Sequence, residues 1–499
     1  MRLFIAAATT LMLAASGLSA PAEEKSKEAK PQAQISGDAW RKNPPTLPPP
    51  RPFKLPKIEN IKLSNGLNVD LVEDHRFPFI TATLGLKIGT AYDPPSLSGV
   101  TKLTAEMLTE GTKTRSSKQI ADEIDFIGGK LGTATDPDFT VISSSALSKY
   151  KDRLIDILSD AILNPTFPES ELDLKKTNLI QELAMKRSDP NWLVEERFHK
   201  VVFGEHPYAT IAPTQASVSR ITRKDLETFH QSNYVPNEAT LVVVGDFDAN
   251  GMKALLEKKF ASQWKANPVK KLIAGTLPVP RAPHIYLVDR PGSVQSTIKL
   301  GNVAIKRSDP DFYRMLVANQ VLGGAANARL FLNLREQKSF TYGAYSALFA
   351  RQQPGWFGAS AAVRSEVTAP SLQELLYELQ RMRNLKVTEK ELTNAKKYLV
   401  GSFQLGVETQ GGLAQRLLES QLYGLPKDYL EKYTDNVMAV TVDDVQRVAR
   451  KYMDVDHIAI TVVGDAKQIK SELENFGPVE VYDTAGKLSS EAKAPHPGS

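Results

Sequence analysis

Two residues able to hold negative charge stand seven positions apart in the second half of the chain, Arg335 and Tyr342. Arg335 offers a planar, permanently charged fork of N–H donors, and Tyr342 offers a hydroxyl donor. The stretch around them, Asn319 to Tyr345, reads NQVLGGAANARLFLNLREQKSFTYGAY. Leu322-Gly323-Gly324-Ala325-Ala326 is too small and flexible for a helix interior and is expected to be a loop. Ala328 to Gln337 fits a helix with Leu330, Phe331 and Leu334 on one face. Ser339 to Tyr345 alternates as a strand does. A lone Arg and a lone strand Tyr would ordinarily be a surface charge and a packing residue.

The order of these pieces resembles the C-terminal half of the pitrilysin/insulinase-like peptidases, among which the mitochondrial processing peptidase falls. That half carries a glycine loop, then Ser-Arg-Leu-Phe, Leu-Arg-Glu and a Tyr. Here the pattern stands as Leu322-Gly323-Gly324, Ala328-Arg329-Leu330-Phe331, Leu334-Arg335-Glu336 and Tyr342. The resemblance implies that Arg335 and Tyr342 hold substrate, and that Gly323, Gly324 and Ala325 face the active cavity. Phe340 and Phe349 are further candidates for lining it; core packing is the alternative for both.

Active members of that family carry His-x-x-Glu-His on a helix of the first half and a further Glu downstream. Two imidazoles at i and i+4 share a helical face and grip one zinc, while the intervening Glu activates a bound water. The landmark that follows this helix is present as Met107-Leu108-Thr109-Glu110-Gly111-Thr112. Counting back from it places Lys102, Ala105 and Glu106 where His, Glu and His would be. A lysine repels zinc and at i, i+4 can pair with Glu106 instead. Ala105 can abstract no proton. Glu182 sits near the downstream ligand position. A site of carboxylates without nitrogen or sulfur holds zinc poorly. No two of the seven histidines form a His-x-x-x-His pair, and His206 reads as a packing or loop-capping residue. The expectation is therefore no metal in this chain.

The metal set is missing while the Arg/Tyr pair is present. The resemblance implies a division of labour: a zinc-bearing subunit of the same family as partner in a heterodimer, and this chain binding peptide and supplying Arg335 and Tyr342 to the partner's site. Such donors stabilise the charge that builds on a carbonyl oxygen during peptide hydrolysis, each worth roughly 10²–10³ in rate. They could equally hold backbone carbonyls of an extended strand beside a sheet edge. On this reading the chain is not an active peptidase alone, and zinc belongs to the partner. The alternative is a catalytically silent, peptidase-derived scaffold or chaperone-like assembly protein. An independent hydrolase with a rewired metal site is opposed by Lys102 and Ala105.

The elements that must position these residues are set by a repeat. Ile221–Asp248 and Val440–Lys467 both run from an amphipathic helix through a Tyr and a polar turn into an apolar strand ending Val-Val-Gly-Asp. Asn65-Gly66 between two short apolar runs signals a hairpin. The expected fold class is α+β: two homologous halves, each a mostly antiparallel sheet with helices packed on one side, arranged as a clamshell. The halves are placed at 58–265 and 284–478, joined by a proline-bearing linker at 266–283. Residues 1–22 read as a signal peptide, with Ala20-Pro21-Ala22 fitting a cleavage site. A proline-rich extended arm covers 23–57 and a polar tail 479–499. The chain has no cysteine and needs no disulfides in an oxidising compartment. An exported, periplasmic protein with no membrane association after signal cleavage is expected. The formal net charge of +5, from 62 basic and 57 acidic residues, is mild. No basic run interleaved with aromatics speaks for nucleic acid.

Overall fold

The computed structural model describes residues 54–268, 275–278 and 282–489. The expected signal peptide, the expected arm up to residue 53, half of the linker (269–274 and 279–281) and the last ten residues lie outside them. The described residues fall in one compact unit.

The first half comprises β1 (Glu59–Lys62), β2 (Asn68–Glu73), β3 (Phe79–Leu86), α1 (Val100–Met107), α2 (Ser117–Phe126), β4 (Lys130–Thr135), β5 (Thr140–Leu147), α3 (Lys151–Leu163), α4 (Glu169–Lys186), α5 (Pro190–Phe203), α6 (Gln215–Arg220), α7 (Arg223–Asn233), β6 (Ala239–Gly245) and α8 (Ala249–Leu256). The second comprises β7 (His284–Asp289), β8 (Gln295–Val303), α9 (Phe312–Gly323), α10 (Arg329–Phe331), β9 (Thr341–Phe349), β10 (Trp356–Arg364), α11 (Thr368–Asn384), α12 (Glu389–Glu408), α13 (Gln410–Leu422), α14 (Tyr429–Met438), α15 (Val442–Tyr452), β11 (Ala459–Gly464), α16 (Ala466–Leu473) and β12 (Val479–Tyr482).

Each half builds a six-stranded sheet, in the orders β1-β2-β6-β3-β5-β4 and β12-β7-β11-β8-β10-β9. Both are mostly antiparallel; β2–β6 in the first and β12–β7 and β7–β11 in the second are parallel. The repeat is visible in its caps. Thr222 before α7 and Thr441 before α15 each accept from the amide three residues on, and Asp225 and Asp444 return the bond to the threonine amide. This capping box fixes where each helix starts. The second half reaches past residue 478, because Val479–Tyr482 pairs with β7 as an edge strand. The polar tail therefore begins later than its composition suggested.

The halves exchange helices. β6 is buried along its whole length, since it is covered on both faces. Leu241 and Val243 face its own half's core. Val242 and Val244 pack against Leu413, Leu417 and Leu418 of α13 from the other half. In return, Phe198 and Phe203 of α5 pack with Trp356 of the second sheet, and Leu193 and Val194 with Val288 and Val463.

Candidate functional site

A cavity of about 820 Å³ lies between the halves. The first half contributes α1, α4, α5 and the terminal strand β4; the second contributes β8, β10 and its own terminal strand β9. Both strands are hydrogen-bonded on one side only within their sheets.

Lys102, Ala105, Glu106 and Glu182 all face this cavity. The start of α1 is held by Asp93, whose carboxylate accepts from the amides of Gly99 at 2.7 Å and Thr101 at 3.1 Å. Burial outweighs those bonds and pushes the Asp93 carboxyl up to about 6. One turn on, the Lys102 ammonium lies 2.5 Å from Glu106 Oε1. Ala105 is buried between them. Glu182, on α4, pairs with Lys186 at 2.7 Å. Lys186 chiefly, with Lys102 also contributing, draws its carboxyl below the usual range. Zinc does not fit this arrangement: an ammonium holds the first-ligand position, and both carboxylates already face lysines. Among the described residues, no three or more His, Cys, Asp or Glu side chains gather as a metal site.

Arg335 and Tyr342 occupy an irregular segment. The helix begun by α10 continues as a π-turn over Leu332–Gln337 that carries Arg335. Ser339 then adopts φ 55°, a left-handed conformation rare for a side chain with a Cβ. Arg364 donates to its carbonyl at 3.0 Å. Next, Ala344 and Thr341 of β9 oppose Ala361 and Val363 of β10, a bulge that falls on Tyr342 and Gly343. Tyr342 is 90% exposed and Arg335 about half exposed. The guanidinium lies 4.8 Å from the Phe331 ring centroid, and Phe331 lies 5.8 Å from Tyr345. Tyr345 lines the cavity; Arg335 and Tyr342 do not. Asn333, buried inside the same turn, donates to Glu374 at 2.9 Å and Glu378 at 2.8 Å.

The glycine segment is a loop from Gly324 onward, as expected, but its first two residues, Leu322 and Gly323, belong to the preceding helix. α9 runs through Gly323, and a Cβ there would collide with the Ser346 amide. The residue is glycine so that helix and strand can approach. Gly323, Gly324 and Ala325 are not on the cavity wall, nor is half-buried Phe340, whereas Phe349 is. His206 caps the turn Pro207–Ala209 by accepting from the Tyr208 amide at 3.1 Å.

The cavity also contains residues that sequence reasoning missed. Lys299 of β8 is 3% exposed and its ammonium reaches both Glu195 oxygens, at 2.5 and 2.6 Å. Burial draws its pKa down and Glu195 opposes that. His199 shares α5 with Glu195 and donates through Nδ1–H to the Tyr208 carbonyl at 2.9 Å. Burial pushes it down to about 4. Trp356 and Phe349 stack at 4.6 Å. A lysine inside the apolar strand β8 was the available signal for the first of these; Glu195 and His199 lie on a helix whose pattern carries no motif.

Comparison with known proteins places both halves. The model described as insulinase (peptidase family M16) matches residues 69–213, and the peptidase M16 inactive domain matches 220–399. An uncharacterized zinc protease of Streptomyces coelicolor is 27% identical over 394 residues, covering 78% of this chain and 85% of that protein. One of Bacillus subtilis is 25% identical over 407 residues, covering 80% and 97%. The structure of a peptidase M16 inactive domain from Pseudomonas fluorescens matches with TM-score 0.77 at 26% identity, covering 82% of this chain and 98% of that one. A protease from Helicobacter pylori shares the fold, with TM-score 0.77 at 21% identity over 82% and 100%.

Proposed function

The chain belongs to peptidase family M16, the insulinase family, and we propose that it is the zinc-less, substrate-holding member of a two-subunit peptidase. It takes an extended peptide into the cavity between its halves. Arg335 and Tyr342 are presented to the active site of a zinc-bearing partner of the same family.

The observation that carries this reading is the segment 332–343. A π-turn, a left-handed serine and a strand bulge follow one another within it. Each departs from regular structure, and such departures persist where function holds them. They leave a tyrosine hydroxyl in solvent, which packing does not explain. Lys102 at the metal position removes the chemistry that this chain would need to work alone. The terminal strands β4 and β9 on the cavity wall suit a peptide that adds to a sheet edge.

A scaffold role is the second reading, favoured by the position of Arg335 and Tyr342 off the cavity wall. Replacing both, as Arg335→Ala with Tyr342→Phe, separates the two. A substrate-holding subunit leaves the complex assembled and its turnover low; a scaffold leaves turnover unchanged. The chain acts after export, in an oxidising compartment that its lack of cysteine tolerates. Among the described residues no helix is long and apolar enough to cross a membrane. Fractionation with residues 1–22 deleted tests the export step: the shortened chain stays with the cytoplasmic fraction.

A further inference from the structure

Resting on the peptide-holding reading, we propose that β9 and β10 form a seat for one large apolar or aromatic side chain of the bound peptide. The seat lies between Tyr345 and Phe349, over Ala347 and Gly358.

Register defines it. Ala347 pairs with Gly358, and Gly358 with Gly301, so a row without bulk crosses three strands. On one side runs the row Phe349, Trp356 and Val303; on the other, Tyr345, Ser360 and Lys299. The result is a trench one residue wide with aromatic walls at its outer end.

The inner end already holds a ring. Phe198 of α5, from the other half, places its Cζ 2.9 Å from where a Cβ at Gly301 would stand, and 3.5 Å from that at Gly358. Lys299 reaches across the row to 3.7 Å from the Trp356 ring centroid and closes the trench there. The outer end opens on the cavity, which Tyr345, Ala347, Phe349 and Gly358 all border. Tyr345 is 45% and Phe349 47% exposed. Their rings are nonetheless fixed, one against Phe331 and the other on Trp356, so the walls stand before a ligand arrives.

The occupant follows from this chemistry. Walls of ring faces and a floor of methyl and glycine favour an apolar body, most of all a ring that packs edge or face against Tyr345 and Phe349. The charges at the inner end, Lys299 and Glu195, satisfy each other and leave no partner for a charged tip. Tyr345, Ala347 and Phe349 share one face of a terminal strand, and a peptide strand alongside sends every second side chain to that face. One of these falls over Ala347.

The test is fluorescence anisotropy with the full chain and labelled Gly/Ser/Ala host peptides carrying a central Phe, Leu, Ala, Lys or Glu. The Phe peptide binds roughly tenfold tighter than the Ala peptide, with Leu next and Lys and Glu no better than Ala. Ala347→Phe fills the seat and Phe349→Ala removes a wall; each brings the Phe-to-Ala ratio close to unity while the Ala peptide still binds. Melting temperatures confirm that the variants are folded. Binding without side-chain preference, or a preference that survives both variants, overturns the seat and leaves the peptide-holding reading in place. Binding of none of the peptides overturns that reading, and the seat with it.

Discussion

The ammonium of Lys102 lies 2.5 Å from Glu106 Oε1, one turn apart on α1 and facing the cavity between the halves. These are the two positions at which the family resemblance implies the paired imidazoles of a zinc helix. Here the pair is closed on itself. The reading Lys102 as cation and Glu106 as its partner was legible in the i, i+4 spacing alone.

It follows that the purified chain, equilibrated with zinc and desalted, retains the metal only substoichiometrically by elemental analysis. Restoring nitrogen ligands and the base with Lys102→His, Ala105→Glu and Glu106→His raises zinc toward one equivalent, with Glu182 available as a third protein ligand. Stoichiometric zinc in the unaltered chain contradicts the assignment.

Arg335→Ala and Tyr342→Phe separate catalysis from stability. Tyr342 is largely in solvent and Arg335 about half exposed, so urea unfolding of each variant shifts by no more than about 0.5 kcal/mol. Turnover by the assembled complex falls by roughly 10²–10³ for each. A matching loss of stability identifies a structural role instead.

Ser339 carries a strain that glycine does not. At φ 55° a Cβ costs about 1 kcal/mol or more, partly offset by glycine's larger unfolded-state entropy. Ser339→Gly therefore stabilises the chain, by about 0.5 kcal/mol in urea unfolding. If the bend serves to hold Arg335 and Tyr342, turnover of the complex falls in the same variant. Destabilisation contradicts the strain; unchanged turnover removes its link to the pair.

His199 makes a prediction about pH. Burial holds its folded pKa near 4, against about 6.5 in an unfolded chain. The unfolded state thus binds the extra proton first, and the contribution of neutral His199 is lost as pH falls from 6.5 toward 4. His199→Gln removes that penalty. The stability difference between wild type and variant, read from urea midpoints, shifts by about 2 kcal/mol in the variant's favour between pH 7 and pH 5. A pH-independent difference contradicts a buried neutral imidazole.

Much of this molecule could be read from residues in order. The duplicated helix-turn-strand at Ile221–Asp248 and Val440–Lys467 announced two like halves, because both copies keep the same cap and the same buried strand. Lys102, Ala105 and Glu106 were legible through helical spacing. What could not be read was anything that depends on the halves meeting. Glu195 and Lys299 are 104 positions apart, and only the exchange of α5 onto the second sheet joins them. The same exchange brings Phe198 to Gly301. The start of the glycine loop was placed two residues early for a local reason: Gly323 looked like a loop residue, yet its lack of a Cβ lets α9 run against β9.

The central claim is tested most directly by hydrolysis of an unstructured peptide by this chain alone, by a zinc-bearing subunit recovered with it, and by the two mixed. The account predicts turnover in the mixture, little in either alone, and a loss of roughly 10²–10³ when the mixture contains Arg335→Ala. Turnover by this chain alone that a chelator abolishes would contradict it.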